Sequence, residues 1–206
     1  MRFLDNVLSD FIEKAPEQFK DAKYSAERER SVGLGVMGFH SFLQKKRIPL
    51  ESVMAKSWNK KIFKQIDEQV NQASKDLAEE RGACPDAAEY GFKERFSNKT
   101  AIAPTASISI ICGGASPGVE PIAANSYTHK TLSGSFNVRN RYLEEILESH
   151  GKNDDETWST ITTNQGSVSH LDFLTDLEKD VFKTAFELNQ KWIIELSGDR
   201  TPYISQ

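Results

Sequence analysis

Lys99-Thr100-Ala101-Ile102-Ala103-Pro104-Thr105-Ala106-Ser107-Ile108-Ser109-Ile110-Ile111-Cys112-Gly113-Gly114 reads as a buried strand that turns sharply into a helix start built of small residues. Residues 100–103 are short and apolar enough for an interior strand, and Pro104 fixes φ where the chain turns. Thr105 and Ser107 then bring hydroxyls and uncommitted backbone N–H groups to one place, which suits an anion and a phosphate above all. The same residues also suit a plain capped helix with no ligand, because Ser and Thr caps are far commoner than phosphate sites. Local pattern leaves both readings open.

Outward from this turn, Cys112-Gly113-Gly114-Ala115-Ser116-Pro117-Gly118 is too rich in glycine for regular structure, and Val119-Glu120-Pro121 closes the loop. Residues 125–138 alternate enough for a hairpin with its turn near Gly134. Upstream, residues 3–14 space Phe3, Leu4, Val7, Leu8, Phe11 and Ile12 as one amphipathic helix closed by Pro16. A charged stretch over residues 20–30 leads into Ser31 to Met37, a strand in which Gly33 and Gly35 alternate with Leu34 and Val36. Gly33-x-Gly35-x-x-Gly38 matches the core of a dinucleotide fingerprint, but the glycines lie within the strand and not in a turn after it. Close strand packing or close approach to a substrate explains them better. His40 stands alone on the helix that starts near Phe39, as a core or surface histidine with a satisfied hydrogen bond.

Residues 50–81 form a long helix with Val53, Met54, Trp58, Ile62, Phe63, Ile66, Val70, Ala73 and Leu77 on one face, ended by Gly82. Cys84 has no His or clustered cation beside it and reads as a small packing residue. Helices are expected at 142–147, 171–186 and 190–197, and a helix or turn at 154–164; the helix over 171–186 has Leu174, Leu177, Val181 and Phe182 as core candidates and the last stops at Gly198.

Several stretches, taken in order, resemble the C-terminal half of the catalytic barrel of ribonucleotide reductase large subunits. They are Arg30-Ser31-Val32-Gly33-Leu34-Gly35-Val36-Met37-Gly38, Glu80-Arg81-Gly82-Ala83-Cys84-Pro85, residues 101–109 and Ser116-Pro117-Gly118-Val119-Glu120-Pro121. Arg2-Phe3-Leu4-Asp5-Asn6-Val7, Thr131-Leu132-Ser133-Gly134 and Asp199-Arg200-Thr201-Pro202-Tyr203-Ile204 add to the resemblance, which runs nearly end to end. No single segment is specific; the ordered set is.

The resemblance implies an α/β fold: the C-terminal half of a ten-stranded α/β barrel, helices outside, with a β-hairpin insertion, over residues 1–206 as one portion incomplete at both ends. In that family a cysteine radical at a loop tip takes hydrogen from the ribose, two further cysteines supply electrons and a glutamate moves the proton. Those motifs would lie before Met1, and no Asn-Leu-Cys-x-Glu segment is present. The family's C-terminal redox cysteines and radical-relaying tyrosines would lie beyond Gln206, and neither Cys84 nor Cys112 matches a catalytic cysteine. The chain is thus expected to carry no catalytic residue, metal ligand or cofactor. It would depend on a missing N-terminal half, a radical-generating small subunit or radical cofactor, and a dithiol reductant of thioredoxin or glutaredoxin type.

What the resemblance leaves here is the substrate's phosphate end: Pro104, Thr105, Ala106, Ser107 and Ile108 as the binding turn, with Gly33, Gly35, Gly113 and Gly114 lining the pocket. Some family members have glutamate where this chain has Ala106 and serine where it has Ile108, so backbone groups would carry more of the contact. Whether the substrate is a diphosphate or a triphosphate is left open by that departure. The expected role is a piece of an oxidoreductase that makes deoxyribonucleotides from ribonucleotides, inactive alone, from a split or truncated polypeptide. The alternative is a non-catalytic remnant of the fold serving as an assembly or binding module.

Composition sets outer bounds. Lys and Arg number 26 against 30 Asp and Glu, so there is no electrostatic footprint for nucleic acid. No apolar run approaches the roughly 18 residues of a membrane span and no signal pattern opens the chain, which points to the cytoplasm. Two cysteines at unrelated positions form neither a disulfide framework nor a zinc spacing.

Overall fold

The computed structural model describes residues 1–131 and 134–206. Its chain divides into two compact units, each discontinuous in sequence: Met1–Gly35 with Asn59–Ala103 and Gly198–Gln206, and Val36–Trp58 with Pro104–Ser197.

The first unit contains α1 (Arg2–Lys14), α2 (Lys20–Glu29), most of α4 (Val53–Arg81) and the short α5 (Pro85–Glu89). The charged stretch before Arg30 is therefore helical, and Arg30 ends it in the left-handed conformation at φ 47°. Helix α4 buries Phe63, Val70 and Leu77 on one face, and Gly82, at φ 88°, terminates it as a glycine can and other residues rarely do. Cys84 and Phe96 complete this core, both with no exposed surface, so Cys84 is the packing residue the sequence suggests.

Asp5 holds this unit together. Its carboxylate is fully buried and meets three guanidinium groups: Arg30 Nη2 at 2.7 Å, Arg81 Nη1 at 2.7 Å and Arg95 Nε at 2.9 Å. Burial alone would raise its pKa, but the hydrogen bonds from Arg95, Arg30 and Arg81 outweigh that and hold the carboxyl below its usual range. Three of the stretches that carry the family resemblance, around Asp5, Arg30 and Arg81, thus meet at one buried charge.

The glycine-rich segment and residues 98–103 run side by side in parallel, joined by Val32 N–H to Asn98 O, Leu34 N–H to Lys99 O and Ala101 N–H to Leu34 O. A Cβ on Gly33 or Gly35 would stand 3.0 Å from Ala101 Cβ or Ala103 Cβ respectively, so both glycines serve close strand packing. The opposite edge of 99–102 is occupied by side chains of the tail: Lys99 and Thr100 N–H donate to Ser205 Oγ, and Ile102 N–H donates to Gln206 Oε1. The contact is therefore a single bridge, Leu34 with Thr100, and not a developed sheet. Among the described residues the only sheet is a two-stranded antiparallel one, so half of a ten-stranded barrel is not what these residues form by themselves.

The second unit contains α3 (Phe39–Lys45), α6 (Ala106–Ile111), the hairpin β1 (Ser126–Thr131) and β2 (Gly134–Arg139), α7 (Arg141–Ser149), α8 (Asp155–Thr163) and α9 (Asp176–Val181). The strands pair in a register that places Thr131 opposite Gly134, as a hairpin; Leu132 and Ser133, part of the expected turn and of the Thr131 to Gly134 family segment, lie outside the described residues. Leu143, Leu147, Trp158, Ile161, Val181 and Phe182 form the core. Asn140 and Asp154 cap α7 and α8 by accepting from the N–H groups of Tyr142 and Thr157.

Two expected helices end differently. Over 171–186 only α9 forms: a Thr175–Glu178 capping box starts it, and beyond it the Phe182 carbonyl accepts from Asn125 Nδ2 while Ala185 N–H donates to Ile122 O. Leu177, within α9, is exposed instead of in the core. The last helix, α10 (Gln190–Arg200), runs through Gly198. It stops only where Pro202 follows and where Arg200, buried, donates to Asn59 Oδ1 and lies over the Phe63 ring.

Gly166 makes a very close backbone approach. At φ 80° its missing Cβ would fall 2.3 Å from Ala124 Cβ, and its carbonyl accepts from both the N–H and the Nδ2 of Asn125.

Candidate functional site

Pro104 leads into Thr105, which adopts φ 53° and ψ 27°, a left-handed conformation costly for a β-branched residue. It persists because Thr105 Oγ1 accepts from Gly118 N–H at 2.6 Å and Thr105 O accepts from Ser109 N–H at 2.9 Å, beginning α6. Strain of this sort, about 1–3 kcal/mol, is found mostly at functional turns.

The result is a turn that displays backbone donors. The N–H groups of Ala106, Ser107 and Ile108 find no acceptor among the described residues, and these three residues are exposed. Thr105's oxygen is committed to Gly118, so it does not cap the helix, whereas the Ser107 hydroxyl has no protein partner among the described residues. Pro104, Thr105, Ala106, Ser107 and Ile108 thus form one continuous surface of three free N–H groups and one free hydroxyl, with no acidic side chain in the first turn of α6.

The loop after α6 is fixed by α3. Ser41 and Ser116 exchange hydrogen bonds, each N–H donating to the other's Oγ, and Gly38 N–H donates to Ser116 O. His40, buried on α3, accepts Ile122 N–H at its Nδ1, 3.0 Å away, and burial pushes its pKa down to about 4. It is a neutral core histidine, as the sequence suggests. Gly113 and Gly114 line a cavity of about 510 Å³ beside α6, with Gly113 O accepting from Arg141 Nη2. Gly33 and Gly35 lie in the other unit and pack as described above.

Cys112 is exposed just after α6 and Cys84 is buried in the other unit, and both are free thiols. Among the described residues, no three His, Cys, Asp or Glu side chains are placed to hold a metal ion, and no helix is long and apolar enough to cross a membrane. Sequence reading passed over Asp5, Gly166 and an amide chain through Gln44; their roles depend on partners far along the chain, which no local pattern displays.

A family model described as ribonucleotide reductase, barrel domain, matches residues 1–95 and 86–206. The chain belongs to that family. It is 49% identical over 210 residues to the ribonucleoside-diphosphate reductase large subunit of Invertebrate iridescent virus 6, covering 100% of this chain and 22% of that protein. To the ribonucleoside-diphosphate reductase large subunit of Invertebrate iridescent virus 3 it is 45% identical, over 99% of this chain and 32% of the relative. The solved structure of the Actinobacillus ureae class Id ribonucleotide reductase alpha subunit superposes with a TM-score of 0.90 at 40% identity, covering 99% of this chain and 37% of that one. This ribonucleotide reductase barrel segment therefore spans about a fifth to two fifths of the length of these relatives.

Proposed function

We propose that this chain is the C-terminal part of the barrel of a ribonucleotide reductase catalytic subunit, and that it supplies the turn that holds the substrate's phosphates. The observation that carries the reading is the Pro104–Ile108 turn: a strained Thr105 that presents three unpartnered N–H groups and the Ser107 hydroxyl on an exposed surface, in a chain that aligns end to end with this family. A ribonucleoside diphosphate is the substrate class, because the names of the viral relatives specify diphosphates. Phosphate oxygens are acceptors only, and oriented backbone N–H groups that cost no rearrangement suit them.

The short parallel contact of 31–35 with 98–103 is, on this reading, a fragment of the ten-stranded barrel, which the remainder of the subunit completes. The chain's own residues bind and orient; the radical step belongs to residues and partners elsewhere. Neither Cys84 nor Cys112 fits the radical or reducing role, since one is sealed in a core and the other stands alone on the surface. A radical-generating subunit or cofactor and a thioredoxin- or glutaredoxin-type dithiol complete the system.

The test is reductase turnover of a ribonucleoside diphosphate with a radical-generating subunit and a dithiol. The chain alone should give none, and the chain co-expressed with the rest of a large subunit should give deoxyribonucleotide. Turnover by the isolated chain, or none in the reconstituted mixture, overturns the reading.

A further inference from the structure

The amides of Asn125, Asn140 and Gln44 form a chain whose direction backbone groups dictate. Asn125 Nδ2 donates to the carbonyls of Gly166 at 3.0 Å and Phe182 at 2.7 Å, so its Oδ1 is the acceptor for Asn140 Nδ2 at 2.8 Å. Asn140 Oδ1 accepts from Tyr142 N–H at 3.1 Å, which orients that amide too, and its Nδ2 also donates to Gln44 Oε1 at 3.0 Å. Gln44 is left with its oxygen engaged and its Nε2 as the terminal donor. That nitrogen is buried with no acceptor among the described residues, in a side chain only 1% exposed. Turning the amide over would set its NH2 against that of Asn140, so the orientation cannot relieve it.

Buried donors without a partner are rare because each keeps its full desolvation cost. Gln44 lines the cavity of about 510 Å³ described above, whose walls combine small or apolar residues, including Ala106, Ile110, Gly114, Ile122 and Val138, with the polar Asn125, Asn140, Arg139 and Arg141. Small residues and a glycine loop leave room for a backbone to come close. Of the two arginines in the lining, Arg139 is paired with Asp155 at 2.7 Å, and Arg141 donates to Gly113 O and lies over the Tyr142 ring, so the donor left without a partner is the neutral amide of Gln44, which a neutral acceptor suits.

We propose that this cavity seats a peptide segment from the remainder of the large subunit, which brings a carbonyl oxygen to Gln44 Nε2. The inference rests on the function proposed above. It commits to a peptide because the chain makes up only 22% and 32% of the viral relatives, so most of such a subunit lies outside it and could supply the missing wall.

The experiment co-expresses this chain with the part of the Invertebrate iridescent virus 6 large subunit outside the matched region, and measures the dissociation constant of the copurified complex. Gln44→Met keeps the side chain's length and removes the donor together with the Oε1 that accepts from Asn140 Nδ2, which keeps Asn125 Oδ1 as an acceptor. It should weaken the complex about tenfold, one hydrogen bond's worth, while the thermal midpoint of the chain alone changes little, because losing the buried unpaired donor offsets losing that bond. Val138→Phe narrows the cavity without touching the amide chain and should weaken the complex as well; it decides the matter if Gln44→Met fails to fold. Binding by either folded variant as tight as by the unaltered chain overturns the inference and leaves the proposed function standing. So does tight competition by free acetamide with no effect of Val138→Phe, the sign of a small-molecule site. Failure of the unaltered chain to copurify overturns both.

Discussion

Replacing Asp5 with Asn keeps the side chain's shape and one acceptor oxygen but removes the charge on which three guanidinium groups converge. Arg30 and Arg95 suffer most: their side chains are 10% and 11% exposed, and Asp5 is the carboxylate they pair with. Arg81, 28% exposed, also has Glu80 3.5 Å away. Removing one partner of a buried ion pair costs about 3–5 kcal/mol, because the partner left behind is an uncompensated buried charge. The structure points to the upper part of that range, offset somewhat by the retained amide oxygen, so about 3–4 kcal/mol is expected. Against a typical total stability of about 5–15 kcal/mol, that is a large fraction. Urea unfolding of the chain at low micromolar concentration checks it: with a slope of about 2–3 kcal/mol per molar, the midpoint should fall by about 1–2 M. The effect should also depend on pH. The carboxyl's pKa is held below its unfolded value, so its stabilisation is fully present above the unfolded value and disappears as pH falls through the depressed one; the Asn variant should lack that acid-side loss. A midpoint within 0.3 M of the unaltered chain, roughly 1 kcal/mol at that slope, would refute the view that Asp5 holds this unit together.

Gly166→Ala should destabilise the second unit by about 1–2 kcal/mol from the positive φ plus about 1–3 kcal/mol from forcing a Cβ onto Ala124, read as a lowered urea midpoint; an unchanged midpoint would mean the approach is not close. His40 is neutral in the fold, with a pKa lowered from 6.5 to about 4, so the unfolded chain takes up its proton first. Stability from this group should be intact above about pH 6.5 and fall by about 1.4 kcal/mol per unit down to about pH 4. Urea midpoints across that interval measure the slope, and His40→Gln should flatten part of it.

Much of the fold was legible wherever burial follows a period. The apolar spacing of Phe63, Val70 and Leu77 marked α4, Gly82 marked its end, and the alternation around Tyr127 and Val138 marked the hairpin. Elements fixed by distant polar partners were not. Asp5 looks like one more surface charge on an amphipathic helix until Arg30, Arg81 and Arg95, which lie 25, 76 and 90 residues along the chain, close around it. The helix expected over 171–186 is cut short because Asn125 takes the Phe182 carbonyl, a tertiary bond that outweighs local propensity. At the site, Pro104 and the small residues after it disclosed a turn with free donors, but not that Thr105 would be left-handed with its oxygen committed to Gly118. Gln44 carries no sequence signal, since its unpartnered nitrogen results from amide orientations set by three other backbone groups.

The proposed phosphate turn is tested most directly by the affinity of the reconstituted large subunit for a ribonucleoside diphosphate and for the matching nucleoside, measured for Ala106→Pro, Ser107→Ala and Thr105→Ala with folding checked in parallel. Ala106→Pro removes one of the three free N–H groups and should cost about 1.5–3 kcal/mol for the nucleotide, since the lost bond is to a charged group. Ser107→Ala removes the free hydroxyl and should cost less, and Thr105→Ala should act chiefly through stability, because its oxygen serves Gly118. A phosphate-binding turn gives a large loss for the diphosphate and almost none for the nucleoside; equal losses for both would mean that the turn at Pro104–Ile108 only shapes the fold.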